Sequence, residues 1–153
     1  MIEDVGNLWD YPADAVVITT NGYVKKDGTA VMGRGSAKEA ANKWFFLPSL
    51  LGEAIKEYGN EVFIWTLKEV EDDDVVDKNI ITMPVKHNWW EPADVELIQK
   101  SAVDLRTETD LWNFELVVMG QPGCGNGGLD WDDVRPILAE ILDDRFVAVT
   151  YDY

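Results

Sequence analysis

Ala15-Val16-Val17-Ile18-Thr19-Thr20 has no polar alternation, and a short β-branched run of that kind predicts a strand covered on both faces. Such a strand belongs at the centre of a sheet with helices packed on either side. The rest of the chain supplies those parts in alternation. From Ser36, a good N-cap, residues 37–44 read as a helix through their alanine content. Pro48 opens a second helix with Leu50, Leu51, Ala54, Ile55 and Tyr58 on one face and Gly59 as its stop. Val62 to Leu67 and Asn79 to Val85 read as strands joined by the acidic run from Glu69 to Asp74. That run is either a divalent-metal site or a solvated hairpin tip, and charge blocks of this sort favour the tip. Pro92 to Leu105 is helical, with Val95, Ile98, Ala102 and Leu105 on one face. Phe114 to Met119 is a buried strand, Gly120 to Gly128 a glycine-rich loop, Trp131 to Leu142 a helix with Pro136 inside it, and Phe146 to Tyr151 the last strand. This order predicts a single α/β domain over residues 1–153, with helices on both faces of a largely parallel sheet.

Charge narrows the partners. The chain carries 29 acidic against 13 basic side chains, a formal charge of -16. Counterion release on duplex nucleic acid needs lysine and arginine stripes that this composition lacks, so extended duplex binding is not expected. An anionic small molecule in a dry cleft is still allowed, because screening limits long-range repulsion to a Debye length of about 8 Å. No apolar run approaches the roughly 20 residues of a bilayer span, and the N-terminus lacks a signal-peptide pattern, which predicts a cytoplasmic location without membrane attachment. A single cysteine, Cys124, and a single histidine, His87, predict neither an internal disulfide nor a Cys/His metal centre. No cofactor is implied.

In sheets of this kind ligands bind at the carboxyl ends of strands, which directs attention to the loops after Thr20, Val85 and Met119. The third loop satisfies G-x-G-x-x-G from Gly123 to Gly128, yet only one helix and one strand follow it, too little for a Rossmann domain. Leu129-Asp130 stands where a P-loop needs Lys and Ser/Thr. The physical core of both motifs survives, since glycines let successive backbone N–H groups approach an anion in front of a helix start. Met32-Gly33-Arg34-Gly35-Ser36 repeats the arrangement, and two anion-competent helix starts suggest a diphosphate. Arg34 either pairs with a phosphate or faces solvent, and Asn21 either binds sugar hydroxyls or holds a turn.

Gly6-Asn7-Leu8, Ala13 to Val17, Asn21, Gly33-Arg34-Gly35 and Gly123 to Trp131 stand in the order and spacing of macro domains. The chain resembles that family over nearly its whole length. Its loops are most similar to the branch of DNA ADP-ribosyl glycohydrolase antitoxins and terminal ADP-ribose glycohydrolases. The resemblance implies a three-layer α/β/α fold with a mixed sheet, and an ADP-ribose cleft. It assigns Asn7, Leu8 and Tyr151 to the adenine end, and Asn21 with Met32, Gly33, Arg34 and Gly35 to the distal ribose and phosphate. Gly123, Cys124, Gly125, Asn126, Gly127 and Gly128 fall to the diphosphate. Asn7 replaces a common aspartate, and Gly127 takes the place of an aspartate partner in the terminal glycohydrolase.

Met83-Pro84-Val85-Lys86-His87-Asn88-Trp89 resembles the proline, lysine and tryptophan pattern of the DNA-directed members, in which the lysine is catalytic. Cleavage at the distal ribose develops oxocarbenium-like charge and needs a protonated leaving group or a placed nucleophile. Lys86, once taken out of water, suits either role, with His87 as an auxiliary acid or base and Asn21 positioning the ribose. Trp89-Trp90 either lines the cleft or packs at a core edge. The expected activity is hydrolysis of an ADP-ribosyl linkage on nucleic acid or protein. The alternatives are a non-catalytic ADP-ribose reader and a phosphatase for ADP-ribose 1''-phosphate.

Overall fold

A computed structural model describes residues 1–151. The elements are β1 (Ile2–Val5), a 3-10 turn (Leu8–Asp10), β2 (Ala15–Asn21), α1 (Gly35–Lys43), α2 (Leu47–Tyr58), β3 (Ile64–Glu71), β4 (Asp74–Lys86), α3 (Val95–Trp112), β5 (Val117–Met119), α4 (Trp131–Ile141) and β6 (Phe146–Thr150). Among the described residues one sheet runs β1-β6-β5-β2-β4-β3, with β3 and β4 antiparallel and every other pair parallel. β2 lies inside it, between β5 and β4. Ala15 and Val17 pack with Ile98, Ala102, Leu105, Val134 and Leu138 of α3 and α4. Val16 and Ile18 pack with Ala37, Ala40, Leu51 and Ile55 of α1 and α2. The apolar run Ala15 to Ile18 therefore feeds two cores, the physical meaning of its missing alternation.

The acidic run is a hairpin tip. β3 and β4 stay paired out to Glu71 and Asp74, and Asp72 and Asp73 turn with φ of 49° and 68°, the left-handed pair that a two-residue hairpin requires. Three expectations need correction. β1 was not anticipated, because Ile2-Glu3-Asp4-Val5 is exposed with no alternating apolar face, and only its register with Val147–Thr150 of β6 makes it a strand. The helix read to Leu105 runs on to Trp112, because Thr109 is buried with its hydroxyl donating to Leu105 O at 2.8 Å. It ends where Asn113 takes a left-handed φ of 57°, which leaves Phe114 outside the strand. Ser36 does not cap α1. Arg34 stands at the N-cap without a side-chain bond, and Ser36 Oγ instead accepts from Thr19 N at 3.2 Å, tying α1 to the end of β2.

Candidate functional site

The ends of β2, β4, β5 and β6 open into a cleft of about 650 Å³. Two glycine turns form opposite walls. On one side Met32 to Ala37 leads into α1, whose first N–H groups, at Gly35, Ser36 and Ala37, have no side-chain cap. On the other, residues 123–127 form a compact loop. Gly123 bends it with φ of 75°, Leu129 N donates to Gly123 O at 3.0 Å, and Ala93 N donates to Gly127 O at 3.0 Å. No acceptor among the described residues takes the N–H groups of Gly125, Asn126 and Gly127.

The expectation of two anion-competent helix starts is corrected to one. At the head of α4 the Asp130 carboxylate accepts from Asp132 N at 2.9 Å, and Asp132 and Asp133 fill the first turn with negative charge. None of these residues lines the cleft. The dipole is spent on side chains of the chain itself, so the loop amides take over as candidate anion donors.

The charge of the cleft departs from that of the chain. Among the described lining residues there are two cations, Arg34 and Lys86, and no aspartate or glutamate, although the protein carries a formal -16. Lys86 is only 8% exposed. Its Nζ donates long hydrogen bonds to Trp89 O and Asn126 O, each 3.4 Å away, so the ammonium is held between the β4–α3 loop and the second glycine turn. Its placement begins in the backbone. Pro84 has no N–H for the ladder, and the β2–β4 register slips there, from Thr20 opposite Pro84 to Asn21 opposite Lys86. The bulge sets Lys86 beside Asn21 at the cleft.

Leu8, Asn21, Met32, Gly33, Arg34, Gly35 and Tyr151 join Lys86 and residues 123–127 in the lining, whereas Asn7, His87 and Gly128 lie outside it. Asn7 is exposed and caps the 3-10 turn through Trp9 N at 3.0 Å. Asn21 is committed to backbone on both sides, donating to Val31 O at 3.1 Å and accepting from Tyr23 N at 3.0 Å. The exposed His87 ring pairs with Asp94 Oδ2 at 2.8 Å. That contact, with the amide of Glu96, holds the Asp94 carboxyl below its ordinary range. Tyr151 donates its hydroxyl to Glu39 at 2.5 Å. Burial, reinforced by the Asp130 charge, pushes the Cys124 thiol up to about 11, which leaves it a poor nucleophile at neutral pH.

Trp89 is half exposed in the lining, and Trp90 stacks edge-on against Tyr23 with ring centres 5.2 Å apart, so the pair is not a packed core edge. Gln121 and Thr150, bonded to each other at 3.0 Å, were not expected in the cleft. Their positions just past β5 and at the end of β6 were the available signal.

No profile of a known protein family matches the chain. In sequence it is similar to the DNA ADP-ribosyl glycohydrolase of Mycobacterium tuberculosis, at 30% identity over 134 residues, which are 87% of this chain and 36% of that protein. It spans little more than a third of that relative's length. The macrodomain of Mycobacterium tuberculosis DarG superposes with a TM-score of 0.79, covering 99% of this chain and 98% of that one at 24% identity. Thermosipho africanus DarTG in complex with ADP-ribose gives a TM-score of 0.80, covering 96% of this chain and 40% of that one at 17% identity. At such identities the structural likeness establishes the fold. The chain has the macrodomain fold, an α/β architecture with a mixed, mostly parallel six-stranded sheet, and is similar in sequence to the DNA ADP-ribosyl glycohydrolases.

Proposed function

We propose that the cleft binds ADP-ribose and that the chain hydrolyses an ADP-ribosyl linkage on nucleic acid or protein, with Lys86 acting at the anomeric carbon of the distal ribose. The observation that carries this reading is the charge of the cleft: two cations and no carboxylate among its described residues, in a chain of -16. A diphosphate suits the unpartnered amides of Gly125 to Gly127, the uncapped start of α1 and the Arg34 guanidinium. The adenine then lies toward Leu8 and Tyr151, with Asn7 at the rim, and the distal ribose toward Asn21 and Lys86.

Two carbonyl oxygens accept from Lys86 Nζ, which leaves one of its three donors for the cleft. As the glycosidic bond breaks, that donor protonates the departing group; water then adds to the anomeric carbon and its proton returns to the amine. General acid catalysis of this kind contributes about a hundredfold to ten-thousandfold. His87, paired with Asp94 outside the lining, is at most an auxiliary.

The test is a product screen with ADP-ribosylated DNA, ADP-ribosylated protein and ADP-ribose 1''-phosphate, beside calorimetry with ADP-ribose, NAD and AMP. Free ADP-ribose released from a macromolecule, with tighter binding of ADP-ribose than of AMP, supports the reading. Binding without cleavage of any substrate makes the chain a reader, and release of inorganic phosphate makes it a phosphatase.

A further inference from the structure

We infer that Asn60, in the turn between α2 and β3, is a positioning residue for Lys86; the inference rests on the reading that Lys86 is the catalytic group. β4 overshoots β3. Its pairing with β3 starts at Ile81, opposite Ile64, so residues 82–86 lie beyond the ladder on that side, and the bulge disturbs the ladder with β2. Four consecutive carbonyls around the lysine accept from donors at four separate places outside the β3–β4 ladder. Ser101 Oγ donates to Pro84 O at 2.8 Å and Asp94 N to Val85 O at 2.9 Å. Asn60 Nδ2 donates to Lys86 O at 2.9 Å, and Gly22 N to His87 O at 3.1 Å.

The Asn60 bond fixes the peptide that leaves Lys86. That peptide sets both the root of the lysine side chain and the course of the loop to Trp89, whose carbonyl holds the ammonium. Asn60 does not line the cleft, so it acts on the site only through the backbone. The turn is built around it. A Cβ on Gly22 would stand 2.8 Å from Asn60 Cγ and 2.9 Å from its Nδ2, so a glycine is required there for the amide to pass. Gly22, directly after β2, thus marks a close crossing.

The experiment compares wild type with Asn60→Ala, Asn60→Asp and Gly22→Ala in the full chain. Turnover, ADP-ribose affinity, the unfolding midpoint and the rate of reductive methylation of Lys86 are measured, the last by peptide mass spectrometry with exposed Lys25 and Lys26 as internal references. Misplacement of a reacting group by about 1 Å costs on the order of a hundredfold, so Asn60→Ala is expected to lower kcat by about tenfold to a hundredfold. ADP-ribose affinity stays close to wild type, and Lys86 methylates several-fold faster while Lys25 and Lys26 do not change. Gly22→Ala, which displaces the amide, gives the same pattern. Asn60→Asp matches Asn60→Ala at pH 8 but recovers relative to wild type as pH falls, because a carboxylic acid donates where a carboxylate cannot.

Unchanged methylation of Lys86 in both Asn60→Ala and Gly22→Ala overturns the inference. Faster methylation with an unchanged kcat overturns it as well, since the lysine then moves without consequence. If the wild type cleaves nothing, the hydrolase reading falls by itself, and methylation still decides whether Asn60 holds the lysine.

Discussion

The two glycine turns look alike in sequence and are built differently. In Met32 to Ser36, a Cβ on Gly33 or Gly35 would meet nothing within 4 Å, so the turn is a loose lip leading into an uncapped helix. In Gly120 to Gly128, a Cβ on Gly127 would lie 2.4 Å from Gly123 O, and one on Gly123 would lie 2.6 Å from Ile98 Cδ1, whereas Gly125 has open space. The second turn is folded on itself and against α3, and Asn126 supplies an acceptor to Lys86. Glycine therefore does two jobs here. Packed glycines hold the loop's shape, and open ones leave room for a ligand. Of the two turns, only the second hydrogen-bonds the lysine, so the first turn should serve binding alone and the second both binding and chemistry.

Lys86→Ala should produce the largest effect, a loss of kcat of about a hundredfold to ten-thousandfold with little change in ADP-ribose affinity. Single-turnover kinetics beside calorimetry checks it, and a collapse of affinity would show the lysine to be a binding group. Gly125→Glu follows. Its side chain enters open space beside the loop amides, and losing two charge-assisted hydrogen bonds at about 1.5 to 3 kcal/mol each weakens ADP-ribose by roughly a hundredfold to ten-thousandfold. The unfolding midpoint should hold, and a fall in stability instead would erase the distinction between open and packed glycines.

Stability sharpens the same contrast. Gly127→Ala forces a methyl onto backbone and should cost about 1 to 3 kcal/mol in denaturant titration, whereas Gly33→Ala should stay within about 0.5 kcal/mol. Equal costs would mean that the two turns are packed alike. A last measurement concerns Cys124, inside the packed turn. Its thiol is raised from an ordinary 9.0 to about 11, so the thiolate fraction at pH 8 is about a hundredfold lower and alkylation slows in proportion. Alkylation at the rate of a free thiol would show the loop to be open.

Much of this molecule was legible before any coordinates. Ala15 to Thr20 announced a doubly covered strand, and the acidic run from Glu69 to Asp74 a hairpin tip. Lys86 after Pro84 stood out by its resemblance. What escaped was whatever depended on a distant partner. Ile2 to Val5 has no apolar pattern and becomes a strand through β6 alone, and Ser36 reads as a cap until Thr19 N claims its hydroxyl. His87 looked like a second functional group beside Lys86, yet the chain's path around the bulge takes its ring to Asp94. The glycines of the second loop all read as room for phosphate, and only packing separates Gly125 from Gly127.

Local physics thus determined from sequence alone every α-helix, every strand but β1, and the three loops that line the cleft, because strand burial, helix starts and glycine content depend on neighbours a few residues away. The tertiary structure decided the charge of the cleft, which net composition hides, since the acidic residues are kept out of its described lining. It also decided how Lys86 is held. One of its two acceptors lies forty residues along the chain, and the carbonyl beneath it is bound by Asn60, twenty-six residues back, separations that no local pattern encodes.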